Sequence, residues 1–334
     1  MDKDIQNYLK IRPYRRGGPQ QLLALMGHRF ASGFNNRWQQ FGYEVGGPIC
    51  FAFTGWIARE VEKKHPDVSD IAFIARDGYL LKQIYAILPH ERNVKTHYVY
   101  ASRALKRECE DAARHEKYRA YLQSCGFGSG VVATVDTVTM EFSGQKLIAS
   151  AADRPVFGLC WVVLGYDKRF SEGLSFSTYQ TERYHVISNW NVMEFIMTSP
   201  EPPVRSLDDG SPVYYQPNAF EEERQAVFAE VSAGVLDFAR DACRAGLPFF
   251  SAKEMVRWLN AYLRHPSAED RELFRGVMFS ENADHSDSIL LDPFAPAGLF
   301  TKRALKGRIW IYSQKHPGLY RVLHFGKQTW KKIM

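Results

Sequence analysis

Apolar positions along this chain follow two spacings that alternate. Over residues 48–64, Phe51, Phe53, Trp56, Ile57 and Val61 fall at helical intervals, with Arg59, Glu60, Glu62 and Lys63 between them. That spacing predicts an amphipathic helix. An unbroken apolar run follows, Ile71-Ala72-Phe73-Ile74-Ala75, and predicts a buried strand. Helical spacing returns over 79–88. Residues 96–101 predict a second strand, and 104–122 a charged helix. A glycine-rich turn, Gly126-Phe127-Gly128-Ser129-Gly130, leads into a third strand over 131–135. Residues 141–150 read as helix and 156–164 as a buried, β-branched and aromatic strand.

Strands separated by helices predict a parallel sheet with right-handed crossovers. The fold class expected is therefore α/β: a Rossmann-like parallel sheet with flanking helices, plus a helical C-terminal region. Each of the first three strands turns ionic or polar at its carboxyl end, at Arg76-Asp77, Ser102-Arg103 and Asp136-Thr137. Parallel strands deliver those ends to one edge of the sheet, where open α/β sheets bind ligands.

Outside this region the pattern is less regular. Residues 1–47 are polar and aromatic, with breaks at Gly17-Gly18-Pro19 and Gly46-Gly47-Pro48. Residues 171–216 are proline-rich and read as loop, apart from a short helix over 191–197. Helices are predicted over 220–245, 252–263 and 268–277. The organisation expected is an α/β region over 1–215 that carries the site, a helical region over 216–300 packed on it, and a tail over 301–334.

Charge changes the picture of the tail. Its 34 residues hold nine Lys or Arg and no Asp or Glu, which leaves 34 basic against 37 acidic residues in 1–300. Trp310, Tyr312, Tyr320, Phe325 and Trp330 are interleaved with those cations. Basic and aromatic residues in alternation suit an anionic membrane surface. Packing on the domain is the competing reading, and nucleic acid the less favoured one. No apolar run reaches the roughly 18 residues of a spanning helix, and the acidic N-terminus has no secretory signal. The expectation is a cytoplasmic protein, peripheral on the inner face of the membrane. The five cysteines are scattered and odd in number, as reduced thiols would be.

The candidate chemistry starts at residue 76. Asp77-Gly78-Tyr79-Leu80 superficially resembles the haloacid-dehalogenase phosphatase motif Asp-x-Asp-Gly-Thr-Leu. The nucleophilic carboxylate of that motif falls on Ala75 here, so no phospho-aspartate can form. Val135-Asp136-Thr137-Val138-Thr139 loosely resembles the phosphate-gripping loop of phosphoribosyltransferases, though Asp136 also suits a helix cap. In Asn189-Trp190-Asn191-Val192-Met193-Glu194, Glu194 either completes a capping box with Asn191 or points into a site. The ten histidines show no metal-ligand spacing, and neither Gly-x-Ser-x-Gly nor a Walker sequence occurs.

In combination these segments are more specific. Pro48, Phe53 and Trp56-Ile57 precede Phe73-Ile74-Ala75-Arg76-Asp77-Gly78-Tyr79-Leu80. Tyr98-Val99-Tyr100-Ala101-Ser102-Arg103 follows, then Val135-Asp136-Thr137 and Phe142-Ser143-Gly144-Gln145-Lys146-Leu147. The order resembles the phosphoribosyltransferase module of bacterial ribofuranosyltransferases, which assemble O-antigens and other surface polysaccharides. The resemblance covers about residues 40–205. The family pattern Asp-x-Gly-Trp-x-Gly-Thr-x-Gln is only partly kept, since Gly-Trp is absent and one extra residue precedes Gln145.

That resemblance implies phosphoribosyl diphosphate as donor, a lipid-linked glycan as acceptor, and a 5-phosphoribofuranosyl product trimmed by a separate phosphatase. Loss of diphosphate needs cations around the phosphates, for which Arg76 and Arg103 are the candidates. The amides of Gly78 and Tyr79 would add anion affinity at a helix N-terminus. Ser102, Ser143 and Gln145 are candidates for the 5-phosphate or the ribose hydroxyls. Asp77 is the first choice of base, with Asp136 and Glu194 as alternatives. One of these carboxylates is also a candidate to hold Mg²⁺ on the diphosphate. A sugar-nucleotide-dependent glycosyltransferase and a non-catalytic membrane-docked scaffold are the competing classes.

Overall fold

The computed structural model describes residues 2–11, 18–139, 142–163, 173–177, 190–280, 288–294, 318 and 322. The chain begins with three helices, α1 (Lys3–Ile11), α2 (Gln20–Ser32) and α3 (Arg37–Phe41). A π-helical turn, Gly42–Gly46, joins them to α4 (Gly47–Arg59), which ends in a second such turn, Glu60–Lys64. Strand and helix then alternate: β1 (Val68–Ile74), α5 (Asp77–Ile87), β2 (Lys95–Val99), α6 (Arg103–Glu108), α7 (Ala112–Ser124), β3 (Val131–Thr139), α8 (Ser143–Ala152), β4 (Val156–Val163) and β5 (Gly173–Ser175). The five strands form one parallel sheet in the order β2-β1-β3-β4-β5. It is a doubly wound α/β fold, as its strand–helix alternation predicts. The order reverses between β1 and β3, and the carboxyl ends of that pair open a crevice.

The two faces of the sheet have different covers. Ile71 and Phe73 of β1, Ala133 and Val135 of β3, and Leu159 and Trp161 of β4 share one core with α4 and α5. Ala72, Ile74 and Val132 point the other way, onto Leu105 of α6, Tyr118 and Leu122 of α7, and Leu147 and Ile148 of α8. Helix α4 is buried almost all round, from Gly47 to Ala58 with Trp56 the exception, as befits a helix apolar on every side.

The remaining elements complete the first core. They are α9 (Trp190–Ile196), a hairpin of β6 (Val204–Asp208) and β7 (Ser211–Tyr214), α10 (Ala219–Arg244), α11 (Ala252–Arg264), α12 (Ala268–Leu273), and the strand pair β8 (Met278–Ser280) and β9 (Ser288–Leu290). Helix α10 meets the Arg37–Gly46 segment backbone to backbone. A Cβ on Gly42 would lie 2.1 Å from the Val231 oxygen, and one on Gly234 2.1 Å from the Gln39 oxygen. One apolar cluster consequently runs from Tyr8 to Phe294, so the described C-terminal helices share a core with the N-terminal ones.

Several expectations need correction. The 104–122 segment is two helices, because Asp111 caps α7 with its side chain on the Arg114 amide. Strand β3 continues to Thr139, pairing Val138 with Val162 and Thr139 with Val163. Asp136 therefore lies inside the strand, opposite Cys160, not beyond its end. The proline-rich 171–216 stretch contains β5 and the β6–β7 hairpin, and 1–47 is largely helical. The 268–277 helix stops at Leu273. The basic tail, apart from residues 318 and 322, lies outside the described residues. Among the described residues no helix is long and apolar enough to cross a membrane.

The glycine-rich turn has a structural task at the opposite edge of the sheet. Gly128 donates its amide to Asp70 at 2.9 Å, and Gly130 donates to the Ser69 hydroxyl at 3.1 Å. His97 Nε2 lies 2.8 Å from the other Asp70 oxygen. Burial pushes the Asp70 carboxyl up, but hydrogen bonds from Ser69, His97 and Gly128 outweigh it, and its pKa is lowered. A lowered folded pKa gives stability that is present above the unfolded value and lost as pH falls through the folded one. Asp70→Ala should cost about 2–3 kcal/mol at neutral pH, the penalty for stranding a buried charged hydrogen-bond set. Urea titrations at neutral and acid pH should show that difference shrinking in acid.

Candidate functional site

The site is built on a strained turn. Strand β1 ends at Ile74, and the Ala75 amide still bonds to the Val99 oxygen at 2.8 Å. Arg76 then adopts φ 73°, ψ −77°, a region L-residues rarely occupy, and α5 begins at Asp77. The Arg76 amide donates to the Tyr98 hydroxyl at 3.0 Å. Gly78 is required here by packing: a Cβ would lie 2.6 Å from the Phe73 carbonyl carbon. Its lack of a side chain seats α5 on β1.

Asp77 meets Asp136 across the β1/β3 crevice, and the two carboxyl groups are hydrogen-bonded to each other. Burial raises the Asp77 pKa well above the usual carboxylate value. The facing charges of Asp136 and then Glu194 add to the rise, while Arg76 and a hydrogen bond from Thr137 oppose it. Burial raises Asp136 too, but Gln145, the Thr137 amide and the Arg103 charge all favour its ionised form. Gln145 Nε2 donates to Asp136 Oδ2 at 3.0 Å. A hydrogen-bonded carboxyl pair favours a single shared proton, and more hydrogen bonds support the ionised form of Asp136 than of Asp77. Of the two, Asp77 is pushed further toward its protonated form.

The structure brings together six of the nine candidates: Arg76, Asp77, Arg103, Asp136, Gln145 and Glu194. Glu194 projects from α9 toward both Asp77 and Arg76, and burial lowers the Arg76 pKa with the Arg224 charge assisting. Asn191 lies inside α9 and so does not cap it. Of the other three candidates, Ser102 and Gly78 have structural tasks. Ser102 caps α6 by accepting the Leu105 amide at 3.1 Å. Ser143 is the half-buried first residue of α8. Gly78 packs as described. Gln145, which is fully buried, leaves its Oε1 atom without a hydrogen-bond partner, an acceptor beside the carboxyl pair.

Sequence reasoning missed the layer behind these groups. Arg224 of α10 donates to Thr198 Oγ1 at 3.1 Å and to the Ser199 oxygen at 3.0 Å, and pairs with Glu221. Glu201 accepts from Tyr98 at 2.9 Å and from Tyr100 at 3.3 Å. The alternation of Tyr98 and Tyr100 was the one visible signal that both point to the same side of β2. Glu201 and Arg224 carry none, being distant in sequence from the strands they serve.

The geometry can be tested against a metal. Among the described residues, only Asp2, Asp4 and His28 present three ligand atoms mutually within 4.8 Å, at the start of α1 and on α2, with Asp2 and His28 exposed. Asp77, Asp136 and Glu194 do not form such a set. They fit a divalent ion only if it arrives with its own phosphate ligands, since Mg²⁺ then needs one or two carboxylates.

Fold and site together define an α/β protein with an arginine-flanked carboxyl pair at its topological switch point. No family model and no curated protein matches this chain.

Proposed function

We propose that the chain is a glycosyltransferase that moves a 5-phosphoribofuranosyl group from phosphoribosyl diphosphate to a glycan acceptor. The observation that carries this reading is the hydrogen-bonded Asp77–Asp136 carboxyl pair between two arginines, Arg76 and Arg103, at the β1/β3 switch point. Such a site offers cations for a leaving diphosphate and an anion for an attacking hydroxyl, side by side. The order of motifs that resembles the ribofuranosyltransferase module supports the same donor and a lipid-linked acceptor at the membrane surface.

In the reaction the bond from C1 of ribose to the diphosphate oxygen breaks, and a bond from C1 to the acceptor oxygen forms. Arg76 and Arg103 stabilise the charge that gathers on the diphosphate. Asp136 takes the acceptor proton, with Gln145 orienting its carboxylate. Asp77 keeps the shared proton and limits the repulsion among three carboxyl groups. Glu194, whose charge acts on both Asp77 and Arg76, is the carboxylate available to accept from the ribose hydroxyls. Attack opposite the leaving group converts the α-donor to a β-ribofuranoside. Glu194 would be the carboxylate to hold a divalent ion brought in by the diphosphate, and that ion would supply further charge neutralisation.

The test is release of diphosphate from phosphoribosyl diphosphate with glycan acceptors present, run beside sugar nucleotides. Acceptor-dependent release from the first donor alone supports the proposal. Turnover of sugar nucleotides alone transfers the chain to another glycosyltransferase class, and no release with any donor leaves a scaffold.

A further inference from the structure

Arg76 is strained in a way its neighbours do not relieve. The other described non-glycine residues with positive φ, Phe142, Asp153 and Asp209, have φ between 45° and 54°, and Phe142 and Asp153 sit in the left-handed helical region that L-residues tolerate. Arg76, with ψ −77°, does not. Something outside the turn must hold it.

A chain of hydrogen bonds does so. The Arg76 amide donates to the Tyr98 hydroxyl oxygen at 3.0 Å, and that hydroxyl donates its only proton to Glu201 Oε2 at 2.9 Å. The second Glu201 oxygen accepts from Tyr100 at 3.3 Å, and Tyr214 reaches the Tyr100 oxygen at 3.1 Å. Glu201 is itself tethered: its amide donates to Ser199 Oγ at 3.2 Å, and its carbonyl accepts from Arg224 at 3.4 Å. The Tyr98 ring is wedged between Tyr79 and Tyr100, each centroid 5.6 Å away.

A phenol has one proton. With Glu201 accepting it, the Tyr98 oxygen must turn a lone pair to Arg76. Without Glu201 that proton is free to swing toward the Arg76 N–H, and acceptor becomes competitor. Burial, with the facing Glu201 charge, keeps the phenol protonated, so the direction of the chain is set. We propose that Glu201 is a positioning residue for Arg76: through Tyr98 it fixes the turn that aims the Arg76 guanidinium at the carboxyl pocket. In its effect on turnover, this inference rests on the phosphoribosyl-transfer reading; in its effect on the turn, it does not.

Two readouts separate the parts. In transfer assays Glu201→Ala and Tyr98→Phe should each lower turnover roughly tenfold to hundredfold, the range for losing a hydrogen bond to a charged group. The combined variant should be no worse than either alone. Glu201→Gln should recover most of the loss, because its amide oxygen still accepts the Tyr98 proton. In urea denaturation Tyr98→Phe should lower the midpoint in the wild-type background and change it far less beside Arg76→Gly, where the turn is unstrained. Equal midpoint shifts in the two backgrounds overturn the strut. A wild-type protein that transfers no phosphoribosyl group overturns the functional reading, while the same midpoint comparison made with Glu201→Ala still decides the role of Glu201: equal shifts in the two backgrounds overturn it.

Discussion

Asp136→Asn should fold as the wild type does and lose transfer by about 10²–10⁴, the contribution of a positioned general base. The expectation follows from where the shared proton sits. Burial raises both carboxyls, but Gln145, the Thr137 amide and Arg103 favour the ionised form of Asp136, whereas two facing carboxylates push Asp77 further toward the neutral form. An Asn at 136 removes the carboxylate proposed as base and leaves Gln145 facing an amide. The companion variant, Asp77→Asn, replaces a protonated carboxyl by a neutral isostere and should retain transfer within about tenfold, far closer to wild type than a lost base allows. Single-turnover rates of the two variants decide the assignment. If Asp77→Asn is the dead enzyme and Asp136→Asn the live one, the base is Asp77 after all.

The same pair has a stability signature. The unfolded chain releases the Asp77 proton near the ordinary carboxylate value of about 3.9, but the folded protein holds it to higher pH. The folded state then binds more protons, so stability falls as pH rises between those two values. Asp77→Asn cannot titrate. It should be more stable than wild type at neutral pH, with the gain vanishing in acid, when urea midpoints are compared. A variant less stable than wild type at pH 7 would mean that Asp77 is ionised and bound to Arg76.

What could be read ahead of the structure was whatever is local. The apolar run at 71–75 and the alternation at 79–88 state β1 and α5 within three residues, because burial of one face imposes the period. The strand end at Arg76-Asp77 was legible for the same reason, since polar side chains interrupt an apolar run only where water or a site receives them. The limits of that logic are equally specific. Asp136 and Thr137 look like a strand end but continue it, because Gln145 and the neighbouring strand β4 satisfy them. Strand β5 is three residues long and exists by pairing with β4, which no local pattern encodes. Ser102 reads as a ligand group when its neighbours are unknown; the α6 N-terminus that claims its hydroxyl is a fact of three dimensions.

Arg224→Met should cost about 3–5 kcal/mol of stability, the typical result of removing one partner from a buried ion pair. Arg224 and Glu221 have side chains only 2% and 3% exposed, so the Glu221 charge cannot turn to solvent when its cation goes. The lost guanidinium also strips donors from Thr198 Oγ1 and from the Ser199 and Glu201 carbonyls. Arg224→Met combined with Glu221→Leu should regain much of that stability, since apolar side chains of similar volume often replace a buried pair at little cost. Transfer should not return with it. The segment 198–201 would still lack its tether to α10, and Glu201 stands behind Tyr98 and hence behind Arg76. Urea denaturation and transfer rates on the same three proteins separate the two tasks of one arginine. Recovery of both together would reduce Arg224 to a packing residue, whereas recovery of stability alone makes α10 a structural support of the crevice.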